Sequence, residues 1–207
     1  MIALAIAAVV AALPTADSLL QGTYSNEEQV YFAKEAGKPA PAWVSLRITG
    51  AMPTFQLQRI DAFGTDVGVP QPFAITESAG RVTIAIRNFR RDYARTAAGL
   101  AVTGQTGACN EPAAATAFTA AGMTMKTPTR TTFDQKRGRP FKCWASIPKT
   151  AKKPDGTTDW WFKPGLVLHD TGGRVGAVTD EPVPQSFTLQ MHNVAWPSGP
   201  NQPSLVL

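Results

Sequence analysis

Four stretches of this chain alternate apolar and polar residues with a period of two. Trp43, Ser45 and Arg47 alternate with Val44, Leu46 and Ile48, and Phe55, Leu57 and Arg59 with Gln56, Gln58 and Ile60. Val82, Ile84 and Ile86 alternate with Thr83, Ala85 and Arg87, and Phe187, Leu189 and Met191 with Thr188, Gln190 and His192. Successive side chains on a strand point to opposite faces, so the pattern belongs to sheets with one face in a core. Less regular strand candidates cover 118–126, 130–134, 141–147, 160–163, 166–169 and 174–178. Ser78-Ala79-Gly80, Pro154-Asp155-Gly156 and Thr171-Gly172-Gly173 supply turns between strands. The 17 glycines and 17 prolines are spread along the chain, which suits many short elements. Roughly eight to ten antiparallel strands in succession predict an all-β fold, a barrel or strongly coiled sheet, because closure removes unpaired edges. Residues 90–98 are expected to form a short helix or an ordered crossover.

The remaining segments set the boundaries. From Ile2 to Leu13 the chain is apolar and uncharged, ending at Pro14-Thr15-Ala16 before Asp17. Roughly 12 residues is too short for a membrane span of about 20 but suits the core of a secretory signal. No Lys or Arg precedes the run, and cleavage after Ala16 would put Pro14 three positions before the cut; a buried N-terminal strand or helix is the competing reading. The expected organisation is a signal peptide over 1–16, one barrel domain over 17–196 and a loose tail over 197–207, with no internal repeat and no transmembrane segment. Location is then expected to be periplasmic or secreted. Cys109 and Cys143 fit export as a disulfide closing a loop of about 34 residues, which the chain-entropy model values at roughly 3–4 kcal/mol. Two buried free thiols are the alternative, and two lone cysteines do not complete a zinc site.

Ser25 followed by Glu28 has the spacing of a capping box. It predicts a helix over 26–36, with Glu27 and Glu28 at its positive end, Lys34 at its negative end, and Gly37 and Pro39 closing it. Asn26 and Gln29 are expected to tie this capping helix to the barrel mouth.

Positive charge is concentrated between Lys126 and Lys153, where Arg130, Lys136, Arg137, Arg139, Lys142, Lys149 and Lys152 stand against a single acid, Asp134. Such a segment suits phosphates of lipid headgroups, an anionic surface polymer or the propionates of a tetrapyrrole, or else it is a pair of solvated loops. Nucleic acid is not expected, since no stacking-aromatic motif accompanies the charge. Trp160-Trp161-Phe162 puts Trp160 and Phe162 on one strand face and Trp161 on the other, which suits either a core or a flat ligand. His169-Asp170 and His192 lack the spacing of a metal site, so no metal is expected. No nucleophile elbow, phosphate loop or zincin motif is present.

Gly22-x-Tyr24-Ser25-Asn26-x-Glu28-Gln29 resembles the opening of the CpcT/CpeT-type chromophore lyases, with its Gly-x-Phe/Tyr-x-Asn-x-x-Gln signature. Looser similarities are the strand from Trp43 to Ile48, the tetrad Ile86-Arg87-Asn88-Phe89 and the segment Gly107-Ala108-Cys109-Asn110, with Cys143 where a later family cysteine follows a basic run. The resemblance implies a calycin-like antiparallel β-barrel that holds a bilin, a linear tetrapyrrole, and attaches it to a cysteine of an acceptor protein. The family's pocket acid is missing: Phe55-Gln56-Leu57-Gln58 and Gln71-Pro72-Phe73 occupy the corresponding regions. On this reading Tyr24, Trp43, Arg47, Gln58 and Arg59 line a pocket for an apolar or tetrapyrrole-like ligand, no cofactor being required, and chromophore lyase activity is the enzymatic possibility. The alternative is a non-enzymatic envelope or surface module that binds anionic polymers through the basic segment. A wide lumen lined by arginine and aromatic side chains would favour the first reading, and a lumen filled by Leu, Ile and Phe the second.

Overall fold

The computed structural model describes residues 14–107, 115–126, 131–194 and 202–206. The chain begins with a short helix α1 (Ala16–Leu20), a strand β1 (Gly22–Ser25) and a helix α2 (Glu27–Glu35). Nine strands follow in antiparallel succession: β2 (Ser45–Ala51), β3 (Thr54–Ile60), β4 (Asp66–Ser78), β5 (Arg81–Ile86), β6 (Phe89–Thr96), β7 (Gly99–Thr106), β8 (Ala115–Thr119), β9 (Gly122–Lys126) and β10 (Thr132–Gly138). Each pairs with the next, and β1 pairs with both β2 and β10, so ten strands close into a barrel. The all-β barrel expected from the alternation is therefore present.

The alternation also fixes what is inside. Leu46, Ile48, Phe55, Leu57, Ile75, Val82, Ile84, Ile86, Tyr93, Leu100 and Phe118 all point into one buried cluster. Phe55 and Phe73 stack there with ring centroids 5.6 Å apart. The β4–β5 turn puts Ala79 and Gly80 at positive φ (48° and 76°), the twist that two-residue hairpin loops need.

Both barrel ends carry a helix, with the roles divided. α1, not expected as an element, plugs one end with Ala16, Leu19 and Leu20, all buried in the barrel cluster. The Tyr24 hydroxyl donates to the carbonyls of Leu19 and Leu20 at 2.8 and 3.0 Å, and Thr15 caps the helix by accepting from the Ser18 amide. α2 is tied to the other end but buries only Val30, so it is a latch more than a lid. The capping box does not form. Asn26 is the N-cap, the Glu27 amide donates to Ser25 Oγ, and Glu28 is drawn away to Lys136 at 2.5 Å because that cation offers a charge-assisted partner.

Several expectations are corrected here. Residues 90–98 are neither helix nor crossover: β6 turns Phe89, Arg91 and Tyr93 inward at every second residue. The barrel does not continue to 196. Once β1 has bonded both β2 and β10 no edge remains, and the later strands form separate sheets. These are the hairpin β11 (Pro140–Lys152) and β12 (Thr158–His169), and the three-stranded sheet β13 (Thr171–Val178), β14 (Ser186–Val194) and β15 (Gln202–Val206). β15 lies in the stretch expected to be a loose tail and pairs with β14 from Gln190↔Val206 to Val194↔Gln202. Thr171-Gly172-Gly173 is not a hairpin turn but the bulged start of β13. Cys143 carries a free, half-buried thiol and Cys109 lies outside the described residues, so the expected disulfide finds no support. The proposed signal segment 1–16 falls outside them as far as residue 13. No described helix is long and apolar enough to cross a membrane.

A second, smaller core sits outside the barrel. Ala145, Leu166, Leu168 and Leu189 are buried together, with Cys143, Ile147, Val175 and Met191 packed around them. The inner face of the hairpin thus covers one face of the β13–β14 pair. Gln190 Nε2 donates to Glu27 at 2.9 Å, and the Arg174 amide donates to the Ala62 carbonyl, which fastens this second unit to α2 and the barrel.

Candidate functional site

The five residues expected to line a pocket do not converge. Tyr24 is fully buried in the barrel, and burial pushes its phenol up to about 12 despite nearby Arg137. Gln58 sits in a bulge between β3 and β4, where its amide donates to the carbonyls of Arg59 and Val67. Arg59 points outward into solvent, and the half-buried Trp43 keeps its indole N–H without a partner. Arg47 alone of the five lines a cleft. Among the described residues the apolar cluster described above points into the lumen, with Arg91 buried beside it, which favours the second reading over the first.

The motif from Gly22 to Gln29 is instead a seam that holds the barrel shut. Gly22 has a positive φ (147°), and a Cβ there would meet Arg137 Nε at 2.8 Å, so glycine lets the arginine lie across the strand. Asn26 donates to the Ala42 carbonyl at 2.9 Å and accepts from the Val44 amide at 2.7 Å. Gln29 does the same on β10, donating to the Thr132 carbonyl and accepting from the Asp134 amide. Each amide side chain satisfies backbone groups of an adjoining segment as another strand would.

A cleft of about 890 Å³ opens outside the barrel, between the wall where β1 meets β2 and β10 and the passage from β12 into β13. Its volume is within the range of small-ligand sites. Arg47, Lys136, Arg137 and Arg139 border it, together with His169 and Asp170. Three of the cations have a carboxylate partner: Arg47 pairs with Asp66, Lys136 with Glu28, and Arg139 with Asp170. Arg137 is held otherwise. Its guanidinium donates to the Ser18 carbonyl at 2.6 Å and to the Gln21 carbonyl, both at the end of α1, and has no carboxylate partner among the described residues.

Arg139 is the most exposed of the four. Asp170, 3 % exposed, accepts from the Arg139 amide and from Arg139 Nε, each at 2.7 Å. The Phe141 ring lies under the guanidinium at 5.6 Å. Nε is thereby fixed while both terminal nitrogens have no partner among the described residues, and the side chain is 62 % exposed. A guanidinium held by one edge and stacked on a ring presents its other edge to a planar or tetrahedral anion. His169 adds no charge at neutral pH: burial holds its imidazole below the usual range, with Asp170 pulling the other way, and Nδ1 is 2.8 Å from Thr171 Oγ1. Among the described residues no three His, Cys, Asp or Glu side chains gather as a metal site.

The basic segment gave the signal for Lys136, Arg137 and Arg139. What sequence reasoning missed is the company they keep. Arg47 comes from a strand about ninety residues earlier, and Asp170, the acid that orients Arg139, was read only as a partner of His169. Comparison with protein-family models, curated proteins and solved structures finds no match to this chain, so the resemblance to chromophore lyases rests on the quoted residues alone.

Proposed function

We propose that the protein is a non-enzymatic binding module that takes anionic groups, such as those of a surface polymer, into the cleft beside β1. The observation that carries this reading is Arg139: a guanidinium oriented by a buried carboxylate, whose terminal nitrogens have no partner among the described residues, beside an Arg137 with no carboxylate partner among them. A packed barrel supplies rigidity, and the cations standing on its wall supply the attraction. A charge-assisted hydrogen bond of this kind is worth about 1.5–3 kcal/mol, or roughly tenfold and upward in affinity.

The test uses titration of the intact protein with heparin and with polyphosphate at low and high salt. Arg139→Gln is expected to weaken binding about tenfold. Asp66→Asn, which frees Arg47 at an exposed position, is expected to strengthen it. Both effects should fade as salt rises, since exposed charges are screened. Unchanged affinity in both variants, or no salt dependence, would remove the proposal.

A further inference from the structure

The hairpin β11–β12 has two unlike faces. Its inner face is the second core, whereas its outer face leaves large apolar side chains in solvent: Trp144 is 63 % exposed, Phe162 57 %, Trp160 53 % and Val167 56 %. The register explains the grouping, since Ser146 faces Phe162 and Pro148 faces Trp160, while Trp144 sits in the bulge and touches Phe162. Lys142, opposite Val167, and Lys152, opposite Thr158, stand at the two ends of this patch. Neither lysine has an ion-pair partner among the described residues, and the hairpin as a whole carries five lysines against Asp155 and Asp159.

We propose that this face seats the protein on a bilayer surface containing anionic lipid. Indole rings favour the headgroup region, and lysine stems lie along apolar surface while their ammonium groups reach phosphate. Alternative occupants fit less well. A second copy would bring like charges together across a two-fold contact. The Trp144 and Phe162 rings are tilted by 41°, forming a ridge and not a flat shelf for a sugar. Both hairpin strands are sheet edges. Unpaired backbone groups do not enter hydrocarbon, so the hairpin lies flat and only its outer side chains descend. This site is separate from the cleft and does not depend on it.

Sedimentation of the full protein with phosphatidylcholine vesicles, with and without phosphatidylglycerol, tests it. Binding is expected with phosphatidylglycerol, with a blue shift of tryptophan emission. Trp160→Ser and Phe162→Ser are each expected to lower affinity about tenfold, with thermal melting unchanged because both rings are exposed. Lys142→Glu with Lys152→Glu should abolish the preference for the anionic lipid. Four results would each overturn the proposal: no sedimentation, undiminished binding by the aromatic variants, an equal loss in Arg139→Gln, or a dimer that Trp160→Ser dissolves.

Discussion

The barrel and the hairpin are built from the same kind of alternating strand, yet they use their aromatic residues in opposite ways. In the barrel, closure gives every strand one interior, and Phe55, Tyr93 and Phe118 disappear into it. In the hairpin nothing closes. Trp161 turns inward at 8 % exposure while its neighbours Trp160 and Phe162 stay in solvent. Period-two sequence therefore fixes which residues share a face, but topology decides whether that face is a core.

The contrast breaks most sharply under truncation. Phe55→Ala should cost about 3–5 kcal/mol, as expected for a large ring removed from a tight core, whereas Trp160→Ala should stay within about 0.5 kcal/mol. Denaturant melts of the two variants measure this directly, and equal losses would mean that the hairpin face is buried in solution. Gln29→Ala is expected to cost about 2 kcal/mol, because it removes two hydrogen bonds between α2 and β10 and orphans the groups that made them. A melt midpoint that does not move would show that the seam is dispensable.

The smallest effect is set by pH. Burial holds both His169 and His192 below the usual 6.5. The unfolded chain consequently binds protons first as pH falls through that value, and the stability present above it is lost on the way down. Glu27, raised by burial, acts with the opposite sign at lower pH, where the folded state holds the proton more tightly. The melting temperature should thus fall from pH 7 to about 5.5, and His169→Gln should flatten the slope. Burial defers protonation of the folded His169 to lower pH; where it does occur it adds a cation to the cleft, so anion affinity should rise as stability falls. Parallel changes of the two would separate His169 from the site.

Much of this was legible in the residues. β2, β3, β5 and β14 follow from strict alternation, and α2 from its charges and closing Gly37. β6 was not, because Phe89 and Tyr93 are also spaced as neighbours on a helix and the buried Arg91 hides the alternation. β1 was missed because four residues are too few to show a period, and their helix-like neighbours Asn26 and Gln29 dominate the window. The cations of the cleft were visible as a run, but their arrangement was not, since Asp170 and Arg47 join them only through tertiary pairing.

That brief first strand also has a bearing on synthesis. Residues 22–25 leave the ribosome more than a hundred residues ahead of their partners on β10, Lys136 to Gly138. Hairpins from β2 to β9 can form as they appear, but the cylinder has an open slot until β10 arrives, and until then its greasy lining is in reach of water and of other nascent chains. Completion is thus a single late event, and any message cut short before the codon for Gly138 should yield an aggregation-prone product that no amount of local pairing can rescue.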